Sequence, residues 1–164
     1  MSPVYHIDFD FDTEALLNEA TALFEGSGYS SEYKGFTTEN IENFKLIQED
    51  WGNSPVARAE RERFLRHYGI WDESYDYSNS RYMKLDANTM LLPHADNHAC
   101  CINHILNGHN VPINFYGEEY LYTTALLDVS QIHGVNNMGN PDRMILKIAF
   151  YEDTFEEIKQ ALMK

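Results

Sequence analysis

The chain has 164 residues, with 12 lysines and arginines against 26 aspartates and glutamates, a formal net charge of −14. An apolar content of 43%, including 13% aromatics, supplies a true core for one domain of this size and argues against disorder. The charge repels nucleic-acid phosphate and anionic lipid, and no stretch gathers Lys and Arg into a stripe that reverses the sign, so neither nucleic acid nor a membrane is expected as a partner. Cys100 and Cys101 are adjacent, a spacing that meets disulfide geometry only with strain, so no bridge is expected and a reducing cytoplasm suits the chain. Neither a leader-like N-terminus nor an apolar run near ~18 residues is visible, which predicts a soluble, cytoplasmic protein.

The elements follow in order. A strand is predicted over Val4–Phe9 and stops at Asp12-Thr13, a good helix cap. Leu16, Leu17, Ala20, Leu23 and Phe24 then recur at helical spacing until Gly26-Ser27-Gly28. Pro55 opens a second helix over Val56–Tyr68, in which Arg58, Arg61, Arg63 and Arg66, interleaved with Glu60 and Glu62, read as a solvated face. From Tyr82 the texture changes to short apolar runs between turn residues: Tyr82–Leu85, Met90–Leu92, Ala99–Leu106, Ile113–Tyr116, Thr124–Val129 and Arg143–Phe150. Asn107-Gly108 signals a hairpin and Met138-Gly139-Asn140-Pro141 another turn. Thr154–Met163 is an amphipathic C-terminal helix with Phe155, Ile158 and Leu162 on its apolar side. The fold class expected is mainly β with α: a jelly-roll or cupin-like barrel of short antiparallel strands with flanking N- and C-terminal helices.

The sharpest local signal is Leu92-Pro93-His94-Ala95-Asp96. Side chains two apart on an extended chain leave on the same side, so His94 and Asp96 can grip one ion. A third ligand must come from another strand, and His133 in Ile132-His133-Gly134-Val135-Asn136, thirty-nine residues on and two or three strands later, is the candidate. Two histidines and a carboxylate form a facial triad that leaves three metal positions open, an arrangement associated with non-haem Fe(II) oxygenases. A bidentate keto-acid could take two of those positions if its far carboxylate were held. Between Lys84 and Arg143 there is no Lys or Arg, and Arg143, ten residues past His133, opens a strand with a guanidinium suited to a two-pronged carboxylate contact.

His94-x-Asp96, His133 and Arg143 together resemble the Fe(II)- and 2-oxoglutarate-dependent oxygenases, most closely the aspartyl/asparaginyl β-hydroxylase-like group that includes bacterial proline hydroxylases. The likeness runs over roughly Tyr82–Tyr151, taking in Cys101-Ile102-Asn103 after the first ligands and Ala125–Ser130 before His133. It implies a double-stranded β-helix, iron held by His94, Asp96 and His133, and 2-oxoglutarate gripped by Arg143. Unlike the animal aspartyl hydroxylases of that group, this chain keeps the carboxylate ligand. A second 2-oxoglutarate contact is expected at Asn103 or His104, which lie on opposite faces of one strand. Lys147 shares a face with Arg143 under strict alternation, so it lies at the rim or a bulge intervenes.

The remaining candidates have plainer readings. His98 makes a His-x3-His pair with His94, but the glutamate that a zinc-protease helix needs is Ala95. His109 reads as a solvated turn residue, and His6 and His67 as structural. Asp128, Ser130 or Asn136 could orient His133. Tyr116, Tyr120 and Tyr122 read as core or rim aromatics, with the lining of a substrate mouth as the alternative, and Arg81 or the Arg58–Arg66 cluster could partner a substrate carboxylate.

The expectation is therefore a single domain in three stretches: residues 1–80 as helical cover with a first strand, 81–151 as the metal-binding core, and 152–164 as the closing helix. Its expected activity is that of an Fe(II)- and 2-oxoglutarate-dependent dioxygenase, using O2 to hydroxylate an amino-acid or peptide side chain with release of succinate and CO2. The alternatives are a cupin-type metal enzyme that does not use 2-oxoglutarate and a non-catalytic metal-binding barrel. Oligomeric state is left open.

Overall fold

Side chains alternate between the two faces of a strand, and the strands over Cys100–Ile105, Thr124–Leu127 and Arg143–Phe150 are buried on both. The computed structural model describes residues 1–25, 31–32, 44–47, 54–72, 80–108 and 110–164. In chain order these form β1 (Val4–His6), α1 (Thr13–Glu25), β2 (Ser31–Glu32), β3 (Phe44–Ile47), α2 (Pro55–His67), β4 (Ser80–Leu85) and β5 (Met90–His94). There follow β6 (Cys100–Ile105), β7 (Ile113–Phe115), β8 (Glu118–Tyr120), β9 (Thr124–Leu127), β10 (His133–Asn136), β11 (Arg143–Phe150) and α3 (Phe155–Leu162). A seven-stranded sheet runs β1-β9-β6-β11-β4-β3-β2 and a four-stranded sheet runs β5-β10-β7-β8, with every pairing antiparallel. The two sheets pack face to face and do not close into one hydrogen-bonded barrel.

Two cores result. On the outer face of the large sheet Ile102, Leu126, Leu146 and Ile148 meet Leu16 and Ala20 of α1, Phe64 of α2 and Ile158 of α3. Between the sheets lie Cys101, Ile105, Ala125, Leu127, Ile145 and Ala149 against Ile113, Phe115 and Val135. Strand β11 shows the division best, because Leu146, Ile148 and Phe150 face the helices while Ile145 and Ala149 face the opposing sheet.

Helix ends are satisfied by side chains. Asp12 Oδ1 accepts from the Ala15 amide at 3.2 Å, the cap expected for α1, and Thr154 Oγ1 accepts from the Glu157 amide at 3.2 Å to start α3. For α2 the cap comes from elsewhere: Ser54 makes no side-chain cap, and the Glu19 carboxylate of α1 accepts from the Val56 and Ala57 amides at 2.9 and 3.0 Å.

Several expected elements change. The first strand ends at His6, not Phe9, and β8 and β10 are strands that the hydrophobic pattern did not announce. β7 and β8 form a hairpin through Tyr116 (φ 51°) and Gly117 (φ 88°). Asn107-Gly108 is not a hairpin turn: it carries the chain from β6 in one sheet toward β7 in the other. The first 80 residues add β2 and β3 to the large sheet besides their helices. Arg61 is fully buried, with its guanidinium 5.7 Å from the Trp71 ring, so only Arg58, Arg63 and Arg66 fit the solvated-face reading. The expected α1 stop at Gly26-Ser27-Gly28 and the turn residue His109 lie outside the described residues. No helix among the described residues is long and apolar enough to cross a membrane.

Phe64 is fully buried and meets Phe9 edge-on and Phe11 face-on at centroid distances of 5.0 and 5.4 Å. Phe64→Ala should cost about 3–5 kcal/mol and lower the melting temperature by roughly 10 °C, whereas exposed Leu121→Ala should change stability by less than about 0.5 kcal/mol in the same thermal melts.

Candidate metal centre and its cavity

The centre begins with strand pairing. β5 and β10 run antiparallel with His94 directly opposite His133, after four intervening strands rather than two or three. The rings lie 4.4 Å apart, centroid to centroid. Just past the end of β5 the Asp96 amide donates to the Val129 carbonyl at 2.9 Å, which holds the carboxylate under the two rings. Asp96 Oδ1 is 3.1 Å from His94 Nε2 and Oδ2 is 3.7 Å from His133 Nε2, and one ligand atom from each of the three residues falls within 4.8 Å of the others.

Each imidazole is set by the backbone. His94 Nδ1 lies 2.7 Å from the Leu92 carbonyl and His133 Nδ1 2.8 Å from the Gln131 carbonyl. A carbonyl can only accept, so Nδ1 carries the hydrogen in both rings and Nε2 of each ring faces Asp96. Gly134 makes the close strand approach possible, because a Cβ there would sit 2.8 Å from the Leu91 carbonyl oxygen, a backbone atom with no freedom to move aside.

Burial keeps the donors in their ligating states. Desolvation pushes His133 down to about 4 and His98 down to about 3, so both are neutral at ordinary pH. Burial alone would raise the Asp96 carboxyl; the contact with the His94 ring and the Lys147 ammonium beside it outweigh that and hold the group well below the usual carboxylate range. Lys147 is buried, and its Nζ is 3.1 Å from Asp96 Oδ2. Burial opposes its charge, but Cys101 and Asp96 together hold its pKa above the ordinary lysine value. Of the two, Asp96 is the effective partner, since burial pushes the Cys101 thiol up to about 12 and keeps it neutral.

The triad opens into a cavity of about 240 Å³ between the sheets. Arg143 lines the same cavity, 5% exposed. Its Nη2 donates to the Tyr122 hydroxyl at 3.1 Å, and Asn103 Nδ2 donates to that hydroxyl at 3.2 Å, while the buried Arg143 Nε has no hydrogen-bond partner. Gly108 (φ +79°) packs against the arginine stem, where a Cβ would lie 3.0 Å from Arg143 Cγ. Of the two residues left open on β6, Asn103 faces the cavity. His104 faces away, its ring nitrogens bonded to Thr13 Oγ1 at 2.8 Å and Thr124 Oγ1 at 2.7 Å. Lys147 is neither at the rim nor displaced by a bulge: β11 pairs in unbroken register with β4 and β6, and alternation carries Lys147 inward.

Other candidates fall elsewhere. Neither Asp128 nor Ser130 touches His133; Asp128 instead accepts from Ser130 Oγ at 2.5 Å and Gln131 Nε2 at 2.7 Å, ordering the turn whose carbonyl orients the histidine. Asn136 caps the next turn through the Met138 amide at 3.0 Å. Tyr116 is exposed and Tyr120 bonds Glu118 at 2.7 Å. His6 and His67 are exposed, and His98 is not on a helix but beside Asp96, Nε2 to Oδ2 3.5 Å. Of the three tyrosines considered for a substrate mouth, Tyr122 lines the cavity, and its bonds to Arg143 and Asn103 are what sequence reasoning missed, for nothing in the spacing singles it out.

No family model matches this chain, and no curated protein sequence matches it. Among solved structures it is similar to a prolyl hydroxylase from Trichoplax adhaerens in complex with a hypoxia inducible factor oxygen degradation domain peptide fragment. That match has a TM-score of 0.63 at 10% identity and covers 91% of this chain and 83% of that one. A prolyl-4-hydroxylase from Pseudomonas putida gives 0.53 at 12% identity, covering 86% of both chains. The viral collagen prolyl hydroxylase of Paramecium Bursaria Chlorella virus-1, in its 2OG complex, gives 0.52 at 9%, covering 90% of this chain and 94% of that one. Identities this low carry the fold, a double-stranded β-helix, and do not single out the aspartyl/asparaginyl hydroxylase-like subgroup.

The Lys147–Asp96 contact predicts a double-mutant result. Asp96→Asn should abolish divalent-metal binding and also destabilise the apo-protein by about 3–5 kcal/mol, because it strands a buried ammonium. Adding Lys147→Met should recover most of that stability in denaturant titrations without restoring metal binding.

Proposed function

We propose that this protein is an Fe(II)- and 2-oxoglutarate-dependent dioxygenase that hydroxylates an amino-acid or peptide side chain. The observation that carries the reading is one cavity with a His94–Asp96–His133 donor set at one place and, at another, the buried Arg143 guanidinium with an unpartnered Nε. The donors fit the ion: two imidazole Nε2 atoms and a carboxylate suit Fe(II), and three ligands on one side leave its other face open. Arg143 fits the far carboxylate of a keto-diacid. Tyr122 accepts hydrogen bonds from Arg143 and Asn103, so its own O–H is left to donate to the same carboxylate.

With both bound, Fe(II) and 2-oxoglutarate supply the power to oxidise an unactivated C–H bond with O2, releasing succinate and CO2. The chain's part is positioning. Arg143, Asn103 and Tyr122 fix the keto-acid from behind, the Leu92 and Gln131 carbonyls keep both histidine rings aimed, and Met83, Leu91, Ile113 and Val135 give the cavity dry walls. A peptide is bound by the Trichoplax enzyme, which supports a peptide or a small molecule of similar chemistry as substrate.

Anaerobic titration of the apo-protein with Fe(II) and then 2-oxoglutarate should produce the weak visible charge-transfer band of a chelated keto-acid. Arg143→Ala should need at least about tenfold more keto-acid to reach half-saturation, the loss expected for a charge-assisted two-pronged contact. Stoichiometric metal binding that His94→Ala abolishes, with no band in the wild type, would overturn the 2-oxoglutarate assignment in favour of a cupin-type metal enzyme or a metal-binding barrel.

A further inference from the structure

We infer that the end of the cavity bounded by Arg81, Lys147, His98 and Tyr151 is a second anion subsite, which holds a single carboxylate of the primary substrate. This deepens the proposed function and rests on it for the role of that substrate.

The subsite is built by register. Lys147 of β11 pairs with Arg81 of β4, so the two cations sit side by side on the face that lines the cavity. Arg81 Nη2 donates to the Tyr151 hydroxyl at 3.2 Å, and the half-exposed Tyr151 ring lies 5.4 Å from the His98 ring, centroid to centroid. His98 is 7% exposed and lines the cavity, and its Nε2, 3.5 Å from Asp96 Oδ2, makes no hydrogen bond. Arg143 lies four residues from Lys147 along an extended strand, about 13 Å away, so this end is separate from the one assigned to the keto-acid's far carboxylate.

Charge balance points to the ligand. Asp96 is the only acidic residue among the described residues that line the cavity, in a chain whose net charge is −14. A divalent ion, Lys147 and Arg143 bring four positive charges, against one from Asp96 and two from a keto-diacid. One positive charge is left over, in a site where an uncompensated charge is costly. A single carboxylate balances it, and the planar Arg81 fork and the Lys147 ammonium are the donors that such an acceptor-only group needs, with the His98 ring beside them. A cavity of about 240 Å³ shared with a five-carbon keto-acid leaves room inside for one small molecule or one side chain that carries the carboxylate.

The test uses protein loaded with Zn(II), which is redox-inert, and saturated with 2-oxoglutarate, titrated with propionate and with propionamide by ligand-observed NMR. Propionate should bind at least about tenfold more tightly than its uncharged amide, and Arg81→Gln should remove about that factor while Arg81→Lys keeps most of it. Equal binding of acid and amide would overturn the subsite. So would propionate binding Arg81→Gln as well as wild type, which is the result for an acid that only coordinates the metal. Keto-acid binding is titrated on the same samples, and its failure would sink the co-substrate assignment alone, since the acid-to-amide ratio and its response to Arg81 are read independently.

Discussion

The cross-strand pairing of His94 with His133 is the constraint on which the rest of the site depends. Antiparallel pairing places two side chains on the same face, about 4.5–5.5 Å apart at Cβ, and fixes their mutual orientation before any ligand arrives. Gly134 allows that pairing by removing the one side-chain atom that would collide with the backbone of β5. The two backbone carbonyls then choose the tautomer. Because His94 and His133 each spend Nδ1 on a carbonyl two residues earlier in the chain, the same local geometry is used twice, once on each strand.

A two-sheet fold with helices on one side gives its polar residues a particular place. The outer face of the large sheet is sealed by α1, α2 and α3 and is almost wholly apolar. The inner face is apolar at Ile105, Ala125, Leu127 and Ala149, and its polar members Asn103, Arg143 and Lys147 gather where the sheets stand apart to form the cavity. Period two therefore does two jobs in β11. It sends Leu146 and Ile148 to the helices and Arg143 and Lys147 into the cavity, and no bulge is needed for either.

The sequence was legible where chemistry and periodicity coincide. His94-x-Asp96 on an extended segment, the late histidine and the isolated arginine are sparse polar signals in an apolar background, and the structure brings all four to one cavity. Helical periodicity also located α1, α2 and α3 to within a few residues. What was lost depended on contacts between distant segments. His133–Asn136 forms a strand because of its partners β5 and β7, and contains a glycine that lowers any intrinsic preference. Asn107-Gly108 carries the local signature of a hairpin, yet the strands it joins belong to different sheets. Arg61 sits among exposed arginines in the sequence and points the other way in the fold. Tyr122 joins Arg143 and Asn103 from residues twenty-one and nineteen positions away, a relation no local pattern encodes.

Charge is distributed against the protein's own average. In a chain of net −14, the described residues that line the cavity include Arg81, Arg143 and Lys147 and a single carboxylate. At physiological ionic strength surface charges are screened over about 8 Å, so the acidic exterior adds little to the potential felt by an anion already at the cavity mouth. Inside, where water is scarce, the same cations act with much less screening. Lys147 has a further consequence, because its ammonium lies 3.1 Å from the carboxylate that also faces the two imidazoles. A cation so placed competes with a metal ion for Asp96 and at the same time favours any anionic ligand on that ion. Under the proposed function, metal and anion would therefore bind as a coupled pair, each weakening the repulsion that the other would meet alone.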